Sequence, residues 1–193
     1  MKSKFMISFL FIPIFIFCTM AVQAATLDFS VLPSGDTGQT VLSIGNSLIN
    51  VPGGTVYIFR PGDSGAFPTS GGVCALNGSG NCETDWTLTF NQYAVTNLVF
   101  ESAFYDTGDT VQVKYFDGVT LLGSISVTGN GVINLSSIAR ITSLEFDDSS
   151  TGAGFGFGEF SFDKASQVPE PATMLLLGLG LMGLAGIRRK IQK

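Results

Sequence analysis

From residue 26 onward, apolar and polar side chains alternate in short bursts separated by Gly, Asn, Asp and Pro, a pattern of half-buried strands rather than helices. In 110–116, Val111, Val113 and Tyr115 share one face while Gln112 and Lys114 share the other. Trp86, Leu88 and Phe90 alternate with Thr87 and Thr89 in the same way. Runs rich in Val, Ile, Thr and aromatics at 26–32, 40–44, 55–60, 97–100, 120–127, 140–146 and 155–162 predict further strands. Asp117-Gly118 predicts a hairpin between 110–116 and 120–127. The fold class that follows is all-β, an antiparallel two-sheet sandwich.

The last run breaks its own alternation. Phe155 and Phe157 have one parity, Phe160 and Phe162 the other, with Gly158-Glu159 between them. A bulge there brings all four rings into one core and leaves Glu159 free to point outward.

Both chain ends depart from the β pattern. At the start, Lys2 and Lys4 precede an apolar stretch from Phe5 to Phe17, and Val22-Gln23-Ala24 supplies small residues for cleavage before Ala25. Residues 1–24 therefore read as a signal peptide with a signal helix. At the other end, Val168-Pro169-Glu170-Pro171 is followed by an uncharged apolar run over 172–187 and then Arg188-Arg189-Lys190. As a helix, that run spans roughly 24 Å at about 1.5 Å per residue, short for a bilayer unless the basic residues snorkel. The positive-inside rule places Arg188, Arg189 and Lys190 in the cytoplasm and the preceding domain across the membrane. Each proline biases the residue before it toward extended backbone, so 168–171 reads as an exposed strip suited to a processing enzyme.

The order Val-Pro-Glu-Pro, short Gly/Leu-rich helix and basic end closely resembles the PEP-CTERM sorting signal of Gram-negative bacteria. The resemblance covers residues 168–193. It implies an exosortase as processing partner, a transient inner-membrane anchor with a cytoplasmic C-terminus, and a final position at the cell surface or outside the cell. Ordinary single-pass anchoring behind a Pro-rich stalk is the alternative.

Without the two signals, residues 25–167 make one domain. It carries four basic against fourteen acidic side chains, a net of −10, whereas the whole chain shows −5. That balance disfavours nucleic acid, whose recognition depends on Lys and Arg. Calcium and neutral sugars stay open as partners.

Cys74 and Cys82 flank a Gly/Asn/Ser turn, and in an exported chain such a pair reads as a disulfide closing a small loop. The chain contains no His, which removes the usual Ser/His and Cys/His bases. Paired carboxylates could still serve a glycosidase, with Glu83, Glu101, Glu145 and Glu159 as candidates. Their number alone discriminates nothing, and the expectation is a protein without catalytic residues.

Calcium, the one cofactor in view, favours clustered oxygens. Asp106 and Asp109 in one turn, Asp28 near the first strand and Glu159 on the last are the candidate ligands. Asp beside Gly and Ser also caps turns by bonding local N–H groups, and that simpler reading is preferred. For sugar contact the candidate rings are Trp86, Tyr57, Tyr93, Tyr105 and Tyr115; Tyr93 and Tyr105 lie outside regular runs and are the better candidates for exposure, whereas Trp86, on an alternating strand, is assigned to the core.

Residues 109–162, with Val111-Gln112-Val113-Lys114-Tyr115-Phe116-Asp117-Gly118, the run 138–146 and Phe155-Gly156-Phe157-Gly158-Glu159-Phe160-Ser161-Phe162, resemble the closing half of galactose-binding-like jelly rolls. The resemblance implies a fold of carbohydrate-binding type. In that family an Asp commonly follows the Gly-aromatic-Gly run and helps a structural calcium site; Glu159 takes its place here. The functional expectation is an exported, exosortase-processed surface or matrix protein with a structural or adhesive role in exopolysaccharide or biofilm. The alternative is a carbohydrate-binding module stabilised by calcium.

Overall fold

The computed structural model describes residues 23–63, 66–104, 106–149, 154–165 and 179–180. Among these described residues thirteen strands run in chain order: β1 (Gln23–Thr26), β2 (Gly35–Asp36), β3 (Val41–Ile44), β4 (Ser47–Asn50), β5 (Thr55–Phe59), β6 (Gly72–Leu76), β7 (Trp86–Phe90), β8 (Val95–Ala103), β9 (Val111–Asp117), β10 (Thr120–Val127), β11 (Gly131–Leu135), β12 (Ser143–Asp148) and β13 (Gly156–Lys164). They form a seven-stranded sheet, β11-β8-β13-β6-β5-β2 with β1 also on β13, and a six-stranded sheet, β10-β9-β12-β7-β4-β3. All strand pairs in both sheets are antiparallel.

Between the sheets lies the core that the alternation predicts. Val111 and Val113 are buried, as are Trp86, Leu88 and Phe90. Trp86 stacks on Phe146 with ring centroids 3.9 Å apart and planes 2° from parallel. Such a pair adds packing specificity to a large buried area.

The bulge expected in the last strand is present. Pairing of β13 with β8 shifts between Gly158 and Ser161, and Glu159 takes φ +50°. Phe155, Phe157, Phe160 and Phe162 are all buried in consequence.

Four strands, β2, β4, β6 and β11, escape the pattern reading: β2 has only two residues and β6 is buried at every position, whereas neither length nor burial sets β4 and β11 apart from the strands that were read. The expected strand at 26–32 is corrected. The ladder ends at Thr26, and Phe29–Val31 turns as a 3-10 helix because the Asp28 carboxylate accepts from the Ser30 N–H at 3.0 Å. Gln23 and Ala24, placed by sequence at the cleavage site, pair here with Lys164 and Asp163. Cutting before Ala25 would leave Ala25 and Thr26 of that ladder.

Cys74 and Cys82 are disulfide-bonded, with Cα atoms 5.5 Å apart. The bridge closes a turn in which the Asn77 side chain accepts from the N–H groups of Ser79 and Asn81. The sorting residues Val168, Pro169, Glu170 and Pro171, the basic end Arg188, Arg189 and Lys190, and Tyr105 lie outside the described residues. Of the run 172–187, only Leu179 and Gly180 are described, both helical. No helix among the described residues is long and apolar enough to cross a membrane.

Candidate functional site

At one end of the sandwich, four segments enclose a cleft of about 300 Å³. They are the end of β1 running into Asp28, the two-residue β3–β4 turn, the β7–β8 loop and the end of β13. Gly45, at φ +55°, permits that tight turn, and the following Asn46 carbonyl accepts from the Asn91 N–H at 3.0 Å.

Tyr93 forms the aromatic wall. Its ring packs against Phe90 and Phe162, with centroids 6.4 and 6.1 Å away, and the Lys164 ammonium lies 5.0 Å from its centre. That ammonium position is attractive because the ring face is electron-rich. The Ala165 N–H donates to the Ala94 carbonyl at 2.9 Å, fastening the end of β13 to the Tyr93 loop. Burial raises the Tyr93 phenol above its ordinary pKa, and the Ser47 hydroxyl opposes that rise. Ser47 itself is buried and its Oγ makes no hydrogen bond of full geometry.

The cleft thus brings together two sequence candidates, Tyr93 and Asp28, and adds Asn46 and Lys164. Chemically it presents an aromatic ring, a cation, an amide and a carboxylate. Those are groups that stack on a sugar face and exchange hydrogen bonds with its hydroxyls.

The candidate calcium residues are placed as follows. Asp28 caps its own turn. The Glu159 Oε1 accepts from the N–H groups of Thr69 and Ser70 at 2.7 and 2.9 Å. Ser70 also accepts from the Phe29 N–H through its carbonyl, so Asp28 and Glu159 flank the same loop segment. Asp106 and Asp109 share a separate turn, where Asp109 is buried and its Oδ2 accepts from the Asp106 N–H at 3.1 Å. Among the described residues no three His, Cys, Asp or Glu side chains converge as a metal site.

An aromatic cluster, of which the sequence reading named only Tyr57, sits on the outer face of the seven-stranded sheet. Phe59 lies 4.6 Å from Phe104 and 6.0 Å from Phe67, and Tyr57 lies 4.9 Å from Phe59. Phe67 fills the space a side chain would need at Gly72 and Gly158, where a methyl group would fall 2.4 and 2.6 Å from its ring. The signal in the sequence is the glycine pair Gly156 and Gly158 on a strand otherwise rich in Phe.

Across the other sheet, Lys114 pairs with Glu145 at 2.7 Å and Asp147 at 3.0 Å. Hydrogen bonds to Glu145 and then Asp147 raise the Lys114 pKa.

Residues 167–190 match the PEP-CTERM protein-sorting motif. No curated protein matches the chain. Among solved structures, a family 29 carbohydrate-binding module is similar over 74% of this chain and 93% of its own, at 13% identity and a TM-score of 0.33. Another, complexed with mannohexaose, covers 78% of this chain and 99% of its own, at 12% identity and a TM-score of 0.33. A third, complexed with cellulohexaose, covers 75% and 92%, at 12% identity and a TM-score of 0.32. By its two sheets and the motif at 167–190, and not by those distant structures, the chain is an exported β-sandwich protein bearing a PEP-CTERM sorting signal.

Proposed function

We propose that this protein is an exosortase substrate, held briefly in the inner membrane by residues 172–187 with Arg188, Arg189 and Lys190 on the cytoplasmic side. Cleavage at 168–171 then delivers the sandwich, residues 25–167, to the cell surface or extracellular matrix, where it has a non-catalytic structural or adhesive role in polysaccharide or biofilm. The observation that carries the reading is the sorting motif at 167–190, which begins two residues beyond Ala165, the last described residue of the sandwich. Replacing Pro169, Glu170 and Pro171 by Ala in a host with an exosortase tests it. The expected result is an uncleaved product retained in the membrane fraction; a product of wild-type size and distribution counts against the reading.

A second reading, a carbohydrate-binding module, is favoured by the cleft that sets Tyr93 beside Asp28, Asn46 and Lys164. A glycan array probed with the full chain checks it. Binding that Tyr93→Ala abolishes supports the module, and silence across the array removes it.

A further inference from the structure

Residues 118–139 form a run of 22 without a single charged side chain, in a domain with a net charge of −10. This run builds β10 and β11, which are consecutive in the chain and are the outermost strands of the two sheets on the same side of the sandwich. Exposed large apolar residues gather there: Val119, Leu121, Leu122 and Val132 are 100%, 55%, 41% and 65% exposed. Among the described residues no strand pairs with the outer side of β10 or β11; such an edge is a template for strand addition, and soluble proteins ordinarily blunt it with charge, proline or bulges.

The two strands differ in how they are protected. β10 is bulged between Leu121 and Gly123, where the Tyr115 hydroxyl occupies the space beside Gly123. β11 has an unbroken register with β8 from Gly131 to Leu135, and Gly131, Val132 and Asn134 are exposed. It contains neither proline nor charge.

Clefts lie on both sides of β11. One, of about 460 Å³, opens between the sheets beside Ile125, Val127 and Ile133. The other, of about 470 Å³, lies against Phe67, Pro68 and Phe104. An added strand points successive side chains to opposite faces, so strand addition uses a recess on each side, while main-chain hydrogen bonds supply attraction.

We infer that β11 is a self-association edge, at which a second copy of this chain adds its own β11 antiparallel about a two-fold axis near Ile133. Charge selects the occupant. Two copies of so acidic a domain repel across most of their surface, and the neutral 118–139 rim lets them approach with no charge on the meeting strands themselves, Glu101 being set back on β8 opposite Val132, where it lines the second cleft. The strand is also self-complementary: with Ile133 on the axis, Val132 faces Asn134 of the second copy, and the same patch serves both sides, as a two-fold interface requires. The apolar rim residues of β10 are brought toward the second copy by the same approach.

The test uses the full chain in density-matched detergent, with mass measured by sedimentation at micromolar concentration. The wild type is expected at twice the chain mass, and the Val132→Lys, Asn134→Lys double variant, altered only at exposed positions, at the single mass. A wild type of single mass, or a double variant that stays dimeric, overturns the inference. Mixing Val132→Cys chains with Asn134→Cys chains checks the register independently of stability. A mixed disulfide should form on oxidation, in excess of either self-linked product, because opposed residues in such a ladder bring Cα atoms within disulfide reach. Failure of that bond to form overturns the antiparallel β11 pairing even if a dimer exists.

Discussion

The Glu159 carboxylate reaches across 89 residues of chain to accept the Ser70 N–H at 2.9 Å, and the same oxygen takes the Thr69 N–H at 2.7 Å. The bulge that rescues the parity of the phenylalanines therefore also turns Glu159 onto the loop carrying Phe67. Glu159→Ala leaves those donors without this acceptor and is expected to cost about 1.5–3 kcal/mol, the range for hydrogen bonds to a charged group. Glu159→Gln keeps an acceptor oxygen and should cost less. Urea titration of the three proteins checks the order.

Asp28, Glu159 and Asp109 all spend carboxylate oxygens on backbone N–H groups, so calcium would have to displace those bonds. The expected outcome is a melting temperature unchanged between chelator and millimolar calcium. A rise of several degrees would restore calcium as a ligand.

A methyl group at Gly158 would fall 2.5 Å from the Gly71 carbonyl oxygen and 2.6 Å from the Phe67 ring. At Gly156 the nearest atoms are ring carbons of Phe104 and Phe59, at 2.9 and 3.0 Å. Rings can shift more easily than a sheet backbone. Gly158→Ala is expected to lose about 1–3 kcal/mol by overpacking, and Gly156→Ala less, measured by denaturant unfolding.

Removing the Cys74–Cys82 bridge frees a loop with a sequence separation of 8. The loop-closure model gives a loss of about 2–3 kcal/mol for a ring this small. Cys74→Ala with Cys82→Ala, compared with the oxidised wild type by thermal melting, measures it.

Lys114 has a raised pKa in the folded chain because Glu145 and Asp147 hold its charged form. A raised value means that the contribution is complete below the unfolded lysine value and is lost as pH climbs through the folded one. Stability should therefore fall at alkaline pH, beginning near the ordinary lysine value of 10.5, and Lys114→Met should lack that component. Tyr93, raised by burial, adds a fall in the same direction from 10.0 upward. At neutral pH, Lys114→Met should cost about 1 kcal/mol at most, because the three charges are half-exposed and screened by water. Melts from pH 7 to 11 separate the components.

Local chemistry made much of this protein legible in its sequence. Alternation identified β7 and β9 because each has one face against the core, the Asp117-Gly118 turn identified β10, and the broken parity at Gly158-Glu159 announced a bulge because two sets of rings cannot otherwise reach the same interior. The sorting motif was legible because Val168-Pro169-Glu170-Pro171, the apolar run and the basic end follow one another in linear sequence. Only the tertiary structure decided the rest. It set Tyr93 beside Asp28 and Lys164, which are distant in sequence and meet because β1 pairs with β13 and the Tyr93 loop is tied to Ala165. It also revealed why Gly72 and Gly158 lack side chains, since Phe67 arrives from a separate loop. The joint edge of β10 and β11 followed from sheet order, because alternation along a strand records which face is buried but carries no information about which neighbours the strand finds.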